Sequence, residues 1–178
     1  MNQPTNAEVA KDVANEGNLL RPNEILTGER LYEEAIDIVL GHAKQELLIF
    51  DQDLERGGFA SIKKYNLLQH FLSAQLTSRL TIILQDANYF QENCPKLMNL
   101  LKTFGHKMTV YETNATAKHA KDCFILADGQ HYIKRIHIDQ ARFKYNLDDA
   151  ISVDQLRTRF DELLETTQYT VSPTTLGL

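Results

Sequence analysis

Long apolar runs are missing from this chain. No stretch approaches the ~20 consecutive apolar residues that a membrane-crossing helix needs. The opening MNQPTNAEVAKDVANEGN is polar and lacks the basic-then-apolar order of a secretion signal. Cysteine is scarce too: only Cys94 and Cys123 occur, so no disulfide framework is expected and a reducing cytoplasm is the expected location. Positive charge is in deficit. A formal net charge of -5 argues against broad adhesion to nucleic acid or anionic lipid, so any phosphate site has to be a local basic strip. Internal repeats and low-complexity tracts are absent as well. What is present, 178 residues with 43% hydrophobic and 24% charged, suits one compact domain with an adequate core.

Hydrophobic periodicity outlines an α/β domain over residues 21–167, with a flexible leader over 1–20 and a flexible tail over 168–178. Leu31, Ala35, Ile38 and Val39 recur at helical spacing behind a Thr27-Gly28-Glu29-Arg30 start that offers an N-cap. ELLIFD, residues 46–51, is a continuous apolar run of the kind found in a strand covered on both faces. Helical spacing returns over 61–78 through Ile62, Tyr65, Leu68, Phe71, Leu72 and Leu76. A strand over 79–85, an amphipathic helix over 89–104 ended by Gly105, and a strand over 107–112 follow. Such alternation favours parallel strands with right-handed crossovers. The last third changes rhythm: segments 122–127 and 130–138, joined by Asp128-Gly129, predict an antiparallel hairpin. A short strand over 143–147 and a helix over 152–166, with Leu156, Phe160, Leu163 and Leu164 on its apolar face, complete the series.

The hairpin segment KHAKDCFILADGQHYIKR, residues 118–135, carries the chemistry. It resembles the active-site hairpin of phospholipase D-like proteins, in which His-x-Lys-x4-Asp on a strand is followed by Gly, a second strand and a Gly-Ser pair. Without gaps, the Asp-Gly of that pattern falls on Asp128-Gly129, Lys121 takes the nucleophile position and Cys123 that of the phosphate-binding lysine. A second register keeps His119 and Lys121 as the His-x-Lys pair, with Asp128 two residues too far along. In both, Lys134-Arg135 stands for Gly-Ser.

With the order of elements from Thr27 to about Thr167, the chain is similar to one half of a phospholipase D-like protein, most of all to small uncharacterised bacterial proteins with a single degenerate domain. The resemblance implies a mixed β-sheet flanked by helices with a C-terminal β-hairpin. It also implies a homodimer, because active members bring two motifs together across a dyad, one histidine forming a covalent intermediate and the other protonating the leaving group. With Lys121 at the nucleophile position, the expected function is a non-catalytic module that binds a phosphate-containing ligand or a protein partner. No cofactor, metal or membrane insertion is expected. Nucleic acid is a minority option, given the acidic balance and the lack of an aromatic-basic stripe. The alternative is an active phosphodiesterase or nuclease, assembled by dimerisation and using His119.

Lys121, Asp122, Arg135 and His137 are the ligand-binding candidates. His131 and His137 share a strand face with Arg135 by period-two alternation, which makes an anion-binding strip. If Asp128 and Gly129 are the central residues of a type I′ turn, Ala127 pairs with Gln130, Asp122 lies opposite Arg135 as a cross-strand ion pair, and Cys123 lies opposite Lys134. Lys134 or Lys121 would then lower the Cys123 thiol pKa, whereas a packed strand cysteine would be inert. A competing reading starts at LLIFDQDLE. There Asp51-x-Asp53 resembles the first motif of haloacid dehalogenase-like phosphatases, with one carboxylate attacking phosphate and Mg2+ balancing charge, and Asp148-Asp149 mimics their acidic motif. Glu55 and Gln85-Asp86-Ala87 depart from that pattern, and Asp51 and Asp53 otherwise terminate a strand and shape its turn.

Overall fold

In the computed structural model, residues 20–114 and 117–173 are described, so the expected leader lies outside them apart from Leu20. Eight strands form one sheet: β1 (Ile25–Thr27), β2 (Glu46–Asp51), β3 (Arg79–Leu84), β4 (Met108–Thr113), β5 (Cys123–Ala127), β6 (His131–His137), β7 (Gln140–Asn146) and β8 (Thr167–Thr170). Their order across the sheet is β1-β7-β6-β5-β2-β3-β4-β8. β2, β3 and β4 run parallel, and the remaining neighbours pair antiparallel. The helices are α1 (Glu29–His42), α2 (Ile62–Ala74), α3 (Asn88–Asn93), α4 (Pro95–Thr103) and α5 (Ala150–Glu165).

The apolar run of β2 explains the two-sided core. Leu47 and Ile49 enter one cluster with α1, α2, α3 and α4, while Leu48 and Phe50 enter a second with Phe124, Leu126, Val153 and Phe160 beneath α5. α1 packs over β5, β6 and β7, and α5 crosses β5 and β6 on the opposite face. Among the described residues, no helix is long and apolar enough to cross a membrane.

Four local outcomes differ from the sequence expectation. The helix over 89–104 is two helices, because Pro95 cannot donate an N–H and pushes Cys94 out of helical geometry, to φ -115° and ψ 55°. Helix α1 starts at Glu29 with no side-chain cap, since Thr27 is in β1 and Gly28 takes φ +131°. The tail does not fray at Gln168: Thr167–Thr170 lies along β4, the Val171 N–H donates to the Val110 carbonyl (2.7 Å), and Val171 is buried.

The hairpin is the fourth and the most consequential. Asp128 and Gly129 both take positive φ, at 54° and 68°, and the Gln130 N–H donates to the Ala127 carbonyl (3.0 Å), as the turn chemistry demands. The ladder, however, resumes one residue later, with Ala127 opposite His131, Phe124 opposite Lys134 and Cys123 opposite Arg135. The Gln130 carbonyl is taken by the Asp149 N–H (2.7 Å) at the entrance to α5, which draws Gln130 out of the ladder. With a period of two, a one-residue shift exchanges faces. Arg135 turns toward α1 and Lys134 toward α5.

Candidate anion-binding trough

Arg135 is 1% exposed and fully committed. Its Nη1 and Nη2 donate to the two carboxylate oxygens of Glu29 at 2.8 Å each, its Nε donates to the His137 carbonyl (3.2 Å), and its Nη2 also donates to the Ile138 carbonyl (2.9 Å). The guanidinium lies 5.0 Å from the centroid of the Tyr32 ring. The expected Asp122–Arg135 pair is therefore replaced by a bidentate fork to the first turn of α1, and Arg135 offers no face to a ligand. His137 accepts the Asp139 N–H through Nδ1 (3.2 Å). His131 lies at the other end of α1, edge-on to His42 with ring centroids 5.4 Å apart, so the histidines and Arg135 do not form a strip.

The Arg135 hydrogen bond is the largest influence on Glu29 and, against some burial, holds its pKa below 4.5. A depressed folded-state pKa gives stability that is complete above the unfolded value of 4.5 and is lost as pH falls through the lowered one. Asp51 works in the opposite sense. Burial is the main cause raising its pKa above 3.8, so its contribution diminishes as pH rises through that window. Urea unfolding of Glu29→Gln and the parent between about pH 7 and pH 3 separates the two: the parent should lose more stability on acidification than the variant, and parallel curves would remove the ion pair from the account.

The three catalytic candidates do not meet. His119 is exposed on a 3-10 turn, Ala117–His119, and Lys121 is exposed just before β5. Asp128 stands beyond the far end of that strand, roughly 20 Å from Lys121 by strand rise. Its carboxylate accepts the N–H groups of Lys44, Gln45 and Glu46, each at 2.8 Å. The Asp128 carboxylate thus anchors the α1–β2 connection.

Cys123 shares the α1 side with Arg135, away from Lys134. Burial first, then the nearby Asp51 charge, pushes its thiol pKa far up instead of down. Asp51 is enclosed and accepts the N–H groups of Asp53 (3.2 Å) and Leu54 (3.0 Å), and Asp53 accepts that of Glu55 (2.9 Å). These bonds fit the turn-shaping role better than a free nucleophile. Asp149 is the N-cap of α5, accepting the Ser152 N–H (3.1 Å), and no group of three or more His, Cys, Asp or Glu side chains among the described residues could hold a metal ion.

The face shift gathers other residues. On the α5 side of the sheet, between α5 and the edge strand β1, a trough of about 340 Å³ is lined by Ile25, Lys121, Asp122, Tyr132, Lys134, Ile136 and Lys144. Lys134 lies directly opposite Lys144 on the neighbouring antiparallel strand, and Ile25 lies opposite Lys144 on β1. Like charges directly opposite destabilise a sheet unless an anion sits between them. Asp122 answers only part of this charge, because its carboxylate also holds Arg159 (2.6 Å) besides Lys134 (3.4 Å). Lys121 and Asp122, two of the ligand candidates read from the sequence, are in this lining. Lys144 was not among those candidates, although alternation along FKYN already put it on the face opposite Phe143 and Tyr145.

A family model described as "Domain of unknown function (DUF7931)" matches residues 29–172. No curated protein matches the chain in sequence. Among solved structures, the chain is similar to TrmBL2, an archaeal chromatin protein described as showing a novel mode of DNA binding, with a TM-score of 0.61 at 12% identity. That match covers 82% of this chain but 52% of the other, so the chain spans about half the length of that relative. It is also similar to Nuc, a phospholipase D family member from Salmonella typhimurium, with a TM-score of 0.59 at 8% identity, covering 82% of this chain and 96% of that one. At these identities the likeness concerns the fold, which is phospholipase D-like: a mixed eight-stranded sheet with flanking helices.

Proposed function

Because the chain belongs to the family described as domain of unknown function DUF7931 and folds like a phospholipase D family member, we propose that it is a non-catalytic module that binds a phosphate-containing ligand in the trough of Lys121, Lys134 and Lys144. The observation that carries this reading is the Lys134–Lys144 juxtaposition, a repulsive arrangement that an anion would convert into an attractive one. The absence of turnover is supported by the scattering of the motif. Lys121 stands at the nucleophile position, His119 is exposed on a turn, and Asp128 is bound to backbone at the opposite end of β5.

Calorimetric titration of the full chain with pyrophosphate at low salt tests the reading. The double variant Lys134→Ser, Lys144→Ser is expected to bind at least about tenfold more weakly, since each charge-assisted contact is worth about 1.5–3 kcal/mol. Without anion, Lys144→Ser alone should unfold no more easily than the parent, because the like-charge repulsion is relieved. Equal affinity in parent and double variant would sink the proposal. The archaeal neighbour's DNA binding makes a short oligonucleotide the natural second titrant. Phosphodiesterase assays on the same samples are expected to stay at background, and turnover lost in His119→Ala would favour the active-enzyme reading instead.

A further inference from the structure

The lysines of the trough attract any anion, so discrimination between anions falls to an acceptor beside them. Asp122 is the one acid in a lining that holds Lys121, Lys134 and Lys144, and it is 9% exposed. Arg159 donates to its Oδ1 at 2.6 Å and fixes the carboxylate from α5. Its Oδ2 lies 3.4 Å from the Lys134 Nζ, beyond the usual length of an N–H···O hydrogen bond, and keeps acceptor capacity. A ligand oxygen about 2.8 Å from the same Nζ then falls within roughly 6 Å of Oδ2. The bound anion therefore meets a carboxylate in a largely dry wall. A carboxylate has no hydrogen to give, so the contact is favourable only when the ligand supplies one. Sulfate and phosphodiesters are pure acceptors near neutral pH and bring a like charge onto Asp122. A phosphomonoester, with its second pKa at about 6, offers a monoanion that still carries a P–O–H group. That hydrogen goes to Asp122 while the other oxygens accept from Lys134 and Lys144.

We propose that Asp122 makes the trough selective for a terminal phosphate, a phosphomonoester bound as its monoanion, over phosphodiesters and sulfate. This selectivity rests on the ligand reading of the trough for the anion itself and adds what that anion must carry. Binding brings in one proton on the ligand and makes or breaks no covalent bond. Arg159 is a positioning residue that acts through Asp122. Lys121, Lys134, Lys144 and Arg159 are the charged groups around the Asp122 carboxylate.

Calorimetric titration of the full chain at low salt with ethyl phosphate, diethyl phosphate and sulfate, each at about pH 6 and about pH 8, reads the selectivity. The parent is expected to bind ethyl phosphate at least about tenfold more tightly than diethyl phosphate or sulfate at the lower pH, and to lose about tenfold of that affinity at the higher one as the monoanion disappears. Asp122→Asn, whose amide donates, is expected to bind sulfate at least about tenfold more tightly than the parent and to hold ethyl phosphate as well at the higher pH as at the lower. His119 and His137 are present in both proteins, so their titration cancels in the comparison. If the variant does not fold, the parent's order of affinities and its pH dependence still decide. A parent that binds all three anions equally, or a variant with the parent's order and pH dependence, overturns the role of Asp122 and leaves the ligand reading standing. No binding of any anion by either protein removes the ligand reading and the selectivity with it.

Discussion

Replacing Arg135 with methionine is expected to lower unfolding free energy by about 2–4 kcal/mol. The guanidinium is buried and donates four hydrogen bonds, two to Glu29 and two to backbone carbonyls, and the aliphatic replacement leaves the buried Ile138 carbonyl without this donor. Breaking a fully buried pair costs more. Here the Glu29 side chain is 53% exposed and regains water, which sets the lower part of the range. Urea unfolding of Glu29→Gln, Arg135→Met and the double variant should show a coupling of about 1 kcal/mol or more. The same cycle run with Asp122→Asn should be additive within about 0.5 kcal/mol, because Asp122 and Arg135 lie on opposite faces of the sheet. Strong coupling between Asp122 and Arg135 would restore the cross-strand pair and contradict the observed register.

Asp128→Ala is expected to cost a similar amount, about 2–4 kcal/mol, and to leave pyrophosphate affinity unchanged. Three backbone N–H groups lose their common acceptor, and alanine at φ 54° adds roughly 1 kcal/mol of its own. Asn should recover part of the loss, since one of its two terminal positions still accepts. The pairing of thermal unfolding with titration separates anchor from catalytic relic. A variant as stable as the parent but unable to bind or turn over a phosphate ester would return Asp128 to the functional site.

The sheet was largely legible because its signals are local. ELLIFD could be read as a two-sided strand from its own letters, and Asp128-Gly129 announced its turn because few other pairs tolerate positive φ twice in succession. The break at Pro95 was also written in the sequence and was outweighed by the amphipathic pattern around it. What could not be read was decided at a distance. The Gln130 carbonyl is claimed by Asp149, the Arg135 guanidinium by Glu29 and the Asp128 carboxylate by Lys44, Gln45 and Glu46, none of them neighbours in the chain. The observed register, in which Asp149 holds the Gln130 carbonyl, exchanges the faces of Lys134 and Arg135 relative to the expected pairing. The expected Arg135–His137 strip is consequently not formed, and Lys134 instead lines the trough with Lys121 and Lys144. β8 was missed for a related reason: Thr-rich sequence reads as tail or as strand according to whether an edge such as β4 is there to receive it.

The dependence of α1 on the hairpin sets an order of events as the chain leaves the ribosome. Glu29 and its partner Arg135 are 106 residues apart, and Lys44 waits 84 residues for Asp128. Strand β1 can close the sheet only after β7 has been made. Until then the flank formed by Leu31, Tyr32, Ala35, Ile36 and Val39 has no β6 or β7 to lie on. Contacts of such separation place folding toward the slow end, in milliseconds to seconds. A nascent or truncated chain that stops short of β5 therefore leaves that helix flank without the strands that cover it, an apolar surface of the kind by which chaperones and proteases recognise an unfinished copy.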